Sequence, residues 1–513
     1  MIDASVVEAP FFSVSRVADG RRETGGQVAC QLGQPRDYGH DVPDGIFAGW
    51  AWDGRRLLAH NDRYGLHPLF YAQGGDALAL SPSLPRLLLE GAPADLDDAA
   101  LAVFLRTGYF VGEDTPFRAI RALPPNARLE WSDGTLRVTG GLPLPPPRAL
   151  SRAAAIDAYI PLFREAVRRR LPAGGSGAPE LVMPLSGGRD SRHILLELMA
   201  LGCPPSFCLT VRHHLPRTDQ DAALAARLAD ALGLRQVLLD QTEPRLLAEQ
   251  RKNLKTSFCS DEGTAFLALG DYLETHRAGR PATIFDGIAG DFLSDGRFLT
   301  EHRLALLDAG NLTDLADDLL HRPGHLPGLL SDELAGRLSR EVAIQRLWSE
   351  LERHLGAPNP IQSYIFQNRC RREIATFAVN FYSPAVEQQF PYLDHDVVDF
   401  LLSLPAEVFF PPSFHVDTIQ RAFPEHAAIP FEKPTVRYDQ RYRQELEGVF
   451  AEIDAMLERE PSRLLDAAKV RARMAEYVES GRAPALFGPH LIYALQLEQF
   501  VAGLPSRACS SRR

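Results

Sequence analysis

The chain has 513 residues, long enough for two to four domains at about 100–200 residues each. Its 55 basic and 66 acidic side chains leave a net charge of −11, which speaks against general binding to nucleic acid or to an anionic membrane. Apolar residues make up 45% and charged residues 24%, ordinary globular values, and no apolar run approaches the roughly 18 residues that cross a bilayer.

Met1–Phe12 has no basic stretch before its apolar residues, so a secretory signal is not expected. The six cysteines (30, 203, 208, 259, 370 and 509) are sparse and irregularly spaced. That pattern fits neither a disulfide framework nor a Cys-based zinc site, and the expectation is a reduced, cytoplasmic protein. The sequon Asn311-Leu312-Thr313 is then a chance match. Only four basic residues are lysine: Lys252, Lys255, Lys433 and Lys469. A lysine in a suggestive place therefore carries more information than an arginine would.

Residues 1–140 read as β-rich. Short apolar runs at Ile46–Trp52, Arg56–His60, Leu69–Ala72 and Ala77–Leu80 alternate with Gly, Pro and Asp turns, as in stacked antiparallel sheets. A Pro-rich stretch at 141–150 has no periodicity and reads as a linker. From Ser151 onward the pattern alternates. Ala153–Leu171 has helical spacing. Leu181–Leu185, Ser206–Val211, Gln236–Asp240 and Ala282–Asp286 are strand candidates. Asp219–Leu232 and Thr264–Thr275 are helix candidates between them. Strands alternating with helices imply a parallel sheet covered on both faces. The remainder, roughly 300–513, is mostly helical by pattern, and Cys509–Arg513 reads as a disordered tail.

The strongest local signal is Leu185-Ser186-Gly187-Gly188-Arg189-Asp190-Ser191, where a strand gives way to a helix. Two glycines let successive N–H groups curl toward one concavity, and the helix N-terminus adds partial positive charge. Such a nest suits a pyrophosphate. An acid beside phosphate makes sense if it holds a Mg²⁺. The string is neither a Walker loop, which needs GxxxxGK[ST], nor a GxSxG elbow, because Pro184 stands where the first glycine would be. Ile284 through Asp291 is a second strand running into a Gly-containing loop. In a parallel sheet both loops leave the carboxyl edge, so Asp190 and Asp291 could share the metal. The bland readings are a flexible Gly loop and a turn acid.

These residues, in this order, resemble the asparagine synthetase superfamily. SGGRDS is similar to its SGGxDS pyrophosphate loop, that of the N-type ATP pyrophosphatases. FDGIAGDFLSDG is similar to the family's SGEGADELFGG loop. Pro391–His395 with Val397–Pro405 is similar to PFLDHRLVEFALSLP. Glu387 stands at the glutamate of E-x-R-x-P-F-L-D, with Gln389 in place of the arginine. Asp44–Tyr71 and Thr115–Pro125 are similar to the family's N-terminal domain, and the likeness runs collinearly to Lys433.

The resemblance implies an α/β protein of two domains. A degenerate Ntn-type (αββα) glutaminase-like domain at 1–140 would precede an ATP-dependent synthetase domain at 151–513. ATP and Mg²⁺ would be the cofactors. In the family, ATP adenylates a carboxylate, pyrophosphate leaves, and an amine displaces AMP. On that basis Ser186, Gly187, Gly188, Asp190, Ser191, Leu209 and Gly287 would bind ATP or pyrophosphate, Leu209 lying on the strand that cradles adenine. Asp190 and Asp291 would bind the metal. Lys433, in Pro430–Pro434, resembles the lysine of the family's RPKxGF/H loop and would steady the developing charge. Pro434-Thr435 replaces the glycine expected after it. Glu387 and Glu373 would be candidate bases or amine orienters, with a salt-bridged structural acid as the other reading of each. Arg189 and Arg192 flank the loop, either on phosphate or paired with acids, and His213-His214 read as loop histidines.

The departures bear on subtype. The family's nucleophile is Cys at position 2; here residue 2 is Ile2, and Cys30 is the nearest cysteine. The NGEIYN segment is also missing. No glutamine hydrolysis is expected, because an aliphatic side chain is no nucleophile. β-Lactam synthetases, carbapenam synthetases and lasso-peptide cyclases share that loss. The tyrosine that β-lactam synthetases use aligns with Ile288, which cannot take a proton. The expected activity is an AMP-forming amide synthetase joining a small-molecule or peptide carboxylate to ammonia or another amine. Neither nucleic acid nor membrane is an expected partner, and a homo-oligomer stays open. Two other readings stay open: an inactive binding or scaffold protein that kept the fold, and a pyrophosphatase acting on another activated group, such as a thiolation or tRNA-modifying enzyme.

Overall fold

The computed structural model describes residues 8–16, 21–172, 179–277, 280–320, 326–383, 386–484 and 487–505. Ile2 and the Cys509–Arg513 tail lie outside them. The molecule is a mixed α/β structure with three sheets of five strands each.

Two sheets are antiparallel and belong to the N-terminal unit. One has the order β2 (Arg22–Gly26), β1 (Phe12–Arg16), β7 (Ala77–Ser81), β6 (Phe70–Gly74), β8 (Ile120–Ala122). The other has the order β10 (Thr135–Thr139), β9 (Arg128–Ser132), β5 (Arg56–Asn61), β4 (Phe47–Trp52), β3 (Ala29–Gly33). Alternate residues of the strands point inward, as the period of two requires, and pack a shared core of Phe12, Val14, Trp50, Leu57, Leu80 and Trp131. The first sheet's other face is covered by helices Leu84–Leu89 and Asp98–Thr107. Ser83 and Asp97 cap these helices by accepting N–H bonds from Arg86 and Ala100. The second sheet's outer face carries solvated residues such as the cross-strand pair Arg56–Glu130. Helices on both outer faces, the expected αββα arrangement, are not seen among the described residues. The β3–β4 connection explains this: residues 34–46 form a short loop closed by an Arg36–Asp44 bridge and contain no helix.

The third sheet is parallel, in the order β13 (Gln236–Leu239), β12 (Phe207–Val211), β11 (Glu180–Pro184), β14 (Ala282–Phe285), β15 (Val386–Gln389). The first four match the apolar runs in the sequence. The fifth, Val-Glu-Gln-Gln, lies in the segment expected to be helical. The central strands are buried on both faces by alternation: Leu181 and Met183 pack toward helices Arg152–Arg168 and Asp190–Ala200, and Val182, Phe207 and Ile284 toward Ala265–Arg277. Helices dominate the chain beyond residue 290.

The antiparallel and parallel units are joined by arginine forks. Arg371 donates to the carbonyls of Gly65, Gly112 and Leu123, and Arg372 to those of Gly112 and Asp114. Arg170 is buried between Asp44 of the N-terminal unit, at 2.6 Å, and Asp394. One planar guanidinium can satisfy several acceptors at once, which suits arginine to such an interface.

Candidate active site

β11 and β14 are parallel neighbours, so the loops after them leave the same edge of the sheet. The strand order reverses between them: β12 and β13 lie to one side, β15 to the other. Open parallel sheets bind ligands at this kind of switch point. Ser186–Arg189 leads from β11 into helix Asp190–Ala200, and Asp286–Ala289 from β14 into the short helix Gly290–Ser294.

The two loops touch through Asp190. A Cβ added to Gly287 would lie 2.8 Å from Asp190 Cβ, and one added to Gly290 would lie 2.6 Å from Asp190 Cγ. Only glycine permits that approach. Between them Ala289 is held at φ +74°, a left-handed conformation that costs a non-glycine residue about 1–2 kcal/mol.

Acids are concentrated here. Burial, then the neighbouring Asp190, pushes the Asp291 carboxyl up to about 6. Asp286, buried beside them, is likewise raised to about 6, with burial the main cause. Arg297 stands 2.9 Å from Asp291, and Arg189 2.6 Å from Asp295, and these offset part of the negative charge. Two neighbouring carboxylates, with hard oxygen donors and a mouth at a helix N-terminus, fit a Mg²⁺ ion.

The N–H groups of the first loop do not converge on open space as expected. Ser186 N–H donates to Ser191 Oγ at 3.0 Å, Gly188 N–H to Ser186 Oγ at 3.2 Å, and Gly187 N–H to Asp221 Oδ1 at 2.8 Å. The reason is that nearly every buried N–H needs an acceptor, and Asp221 supplies an anionic one from the helix after β12. Burial, then Glu432, raises the Asp221 carboxyl to about 6.

The Lys433 segment lies on this loop. Glu432 N–H donates to Gly187 O at 2.9 Å. Arg192 donates to the carbonyls of Ile429, Pro430 and Gly187, and its guanidinium lies 4.2 Å over Phe431. Arg217–Glu432 and Thr218–Thr435 contacts fasten the other side. So Arg192 ties two loops together, and Arg189 pairs with an acid. Lys252 bonds Ser260 O and Glu249, Lys255 bonds Asn380 O, and Lys469 bonds Asp332. Lys433 is exposed, and among the described residues it makes no hydrogen bond or ion pair.

Three expected site residues lie elsewhere. Leu209 is 1% exposed and packs with Phe207 and Ile284 on the face opposite the Asp190 helix, because alternation along β12 turns it there. Glu387 sits on β15 level with Thr283, short of the carboxyl edge, and pairs with Arg36 of the N-terminal unit at 2.8 Å. Its register makes it an interface acid. Glu373 is buried in the π-helical turn Phe366–Ile374, where Ser260 Oγ donates to it at 3.3 Å and Arg369 Nε lies 3.4 Å away. Arg369 also acts electrostatically on Asp291, so Glu373 is separated from the acid cluster by one arginine. Ile288 is buried and gives its N–H to Asp286.

Sequence reasoning missed a buried polar cluster behind Asp190, made of His415, Tyr392 and His193. His415 Nδ1 lies 3.3 Å from Asp190 Oδ1, and its Nε2 lies 3.0 Å from Tyr392 Oη. The available signal was three polar rings in segments whose pattern is otherwise core. It missed also a cleft of about 790 Å³ at the ends of β12 and β13, lined by Arg212, His213, His214, Arg245, Arg437 and Tyr442 among others. Burial lowers His213 and His214 to about 4, so both are neutral there. The cleft adjoins the Lys433 segment, but Ser186–Ser191 does not line it.

Residues 34–140 match the family model of a glutamine amidotransferase domain. No curated protein matches the chain. Among solved structures, a U34-tRNA thiolase from Methanococcus maripaludis aligns at 11% identity over 64% of this chain and 80% of its own, with a TM-score of 0.25. The glutamine phosphoribosylpyrophosphate amidotransferase of B. subtilis aligns at 11% identity over 60% of each chain, with a TM-score of 0.14. An allosteric regulatory enzyme of purine biosynthesis aligns at 8% identity over 45% of this chain and 62% of its own, with a TM-score of 0.16. Scores this low carry no argument about site or arrangement. No helix of the described residues is long and apolar enough to cross a membrane.

Proposed function

We propose that the chain is an ATP-dependent amide synthetase that forms AMP and pyrophosphate, adenylating a carboxylate for attack by an amine. One observation carries this reading: the Ser186–Ser191 loop and the Gly287–Asp291 loop meet at the switch point of a parallel sheet, with Asp190 close enough to raise the Asp291 carboxyl. Asp190 and Asp291 would hold Mg²⁺, which when bound neutralises charge on the departing pyrophosphate. The N-terminus of helix Asp190–Ala200 orients phosphate oxygens toward its free N–H groups. Lys433, which has no acid partner among the described residues and lies in the segment held to Gly187 O, would supply a cation where charge develops at the acyl centre. Of the two glutamates, Glu373 would orient the amine, since its partner Arg369 also acts on Asp291 whereas Glu387 pairs with Arg36 of the N-terminal unit.

The N-terminal unit, on this reading, supplies no ammonia. Its one described cysteine, Cys30, lies on β3 with its thiol raised by burial, the opposite of an activated nucleophile. The amine then comes from solution or from the substrate itself.

A non-catalytic scaffold is favoured by one observation, the internal satisfaction of the loop N–H groups by Asp221 and Ser191. ATP–pyrophosphate exchange separates the two readings. Screened over amino acids, small dicarboxylates and peptides, the synthetase incorporates labelled pyrophosphate into ATP with at least one carboxylate, and Asp190→Ala abolishes it. Mg·ATP binding without exchange for any carboxylate class, and without AMP release in the presence of amines, supports the scaffold.

A further inference from the structure

We propose that His415 is a positioning residue for Asp190: it holds one carboxylate oxygen inside the protein so that the other faces the loop mouth. The inference rests on the reading of Asp190 as a metal ligand and adds the group that aims it.

The Asp190 side chain is 25% exposed, yet its Oδ1 is buried and has no hydrogen-bond partner among the described residues. The exposure therefore belongs to the other side of the carboxylate. Gly290 abuts Oδ1 on one side, and the polar group facing it is His415 Nδ1, at 3.3 Å, itself buried and, among the described residues, without an aligned partner. The two atoms lie within contact distance but are not aligned, and a small rotation of either side chain would make the bond. Gly287 and Gly290 wall Asp190 on the β14 side, so the carboxylate cannot swing that way.

The far side of His415 is anchored. Its Nε2 lies 3.0 Å from Tyr392 Oη and 3.3 Å from His193 Nδ1. Tyr392 Oη also lies 3.3 Å from Asp190 O, to which it can donate. His193 stacks on Phe163 with ring centroids 4.2 Å apart. One proton arrangement suits these distances: His415 accepts at Nε2 from His193 or Tyr392 and presents Nδ1–H to Asp190 Oδ1. A packing role alone would be met by apolar side chains, without the cost of burying three polar rings. A neighbour that orients a metal ligand typically changes metal affinity by about 10–100-fold when removed.

The test is calorimetric titration of ATP into the full chain at a series of Mg²⁺ concentrations. The proteins compared are the wild type, Asp190→Ala, His415→Leu, His415→Asn and Tyr392→Phe, each checked by thermal melting. His415→Leu keeps the volume and removes the donor. Asn offers a side-chain N–H near the position of Nδ1. The expected result is a Mg²⁺ requirement raised about 10–100-fold in His415→Leu. His415→Asn should stay within about threefold of the wild type, and Tyr392→Phe should shift modestly the same way. Affinity for ATP without Mg²⁺ should stay unchanged, which a general loss of structure would not allow. Wild-type binding lost in Asp190→Ala but with an unaltered Mg²⁺ requirement in His415→Leu overturns the positioning role and leaves the synthetase reading standing. Should His415→Leu fail to fold, His415→Asn and Tyr392→Phe decide: a wild-type Mg²⁺ requirement in Tyr392→Phe together with a hundredfold loss in His415→Asn contradicts the proposal. No Mg·ATP binding by the folded wild type overturns both readings.

Discussion

In the N-terminal unit Asp62 is buried and accepts N–H bonds from Phe47, Tyr64, Leu66 and His67. Its carboxylate is consumed in holding the β5–β6 turn, and Asp44 is likewise committed to Arg170 and to the N–H of His395. At the edge of the parallel sheet the acids are arranged otherwise. Asp190, Asp286 and Asp291 stand together, and among the described residues Asp190 Oδ1 is buried without a hydrogen bond and Lys433, in the segment held to Gly187 O, has no acid partner. The same residue types do structural work in one unit and are left under-compensated in the other. Groups held at a cost to the fold mark where a ligand would repay it.

That contrast is broken most strongly at the joint between the units. Arg170→Ala leaves Asp44 and Asp394 buried without their cation, and removing one partner of a buried pair costs about 3–5 kcal/mol. Urea denaturation should show that loss, while Mg·ATP affinity of the folded fraction stays at the wild-type value. A matching loss of affinity would mean that the units are not energetically separate.

Gly290→Ala has the opposite signature. Its Cβ would come 2.6 Å from Asp190 Cγ and displace the carboxylate. Mg·ATP affinity should fall about tenfold or more, near 1.4 kcal/mol, with little change in melting. Unchanged affinity would detach the β14 loop from the site.

The smallest expected effect is on pH. Asp291 must be ionised to hold a cation, and its carboxyl is raised to about 6 by burial and Asp190. Mg·ATP affinity should weaken below pH 6, by up to about tenfold per pH unit for one competing proton. Asp291's own contribution to the stability of the apo protein moves the other way. A carboxyl whose folded pKa exceeds its unfolded value contributes stability below the unfolded pKa, and that contribution is lost as pH rises through about 6. Mg·ATP affinity that holds unchanged below pH 6 would sink this account, and Asp291→Asn should flatten the affinity profile.

Sequence made much of this legible, for reasons that particular residues show. Strands β11, β12 and β14 read out because both faces are buried and their runs are apolar, and the edge strand β13 because its run is apolar although Leu238 is exposed. β15 did not, because Glu387 and Gln388 lie on an edge strand facing the N-terminal unit. The two loops read out because strand, glycine, acid and helix follow within a few residues. The bond from Gly187 to Asp221 spans 34 residues and has no motif. The His415 cluster joins segments more than 200 residues apart, where histidine and tyrosine occupy positions that pattern assigns to core. That residues 34–46 form a loop without a helix has no motif to announce it.

The central claim, that the acids at the switch point serve a metal–nucleotide complex, is tested most directly by titrating Mg·ATP into the folded wild type and into Asp190→Ala. The account predicts saturable one-site binding that requires Mg²⁺ and weakens at least about a hundredfold in the variant. Binding of equal strength in both proteins, or none in the wild type across millimolar Mg²⁺, would contradict it.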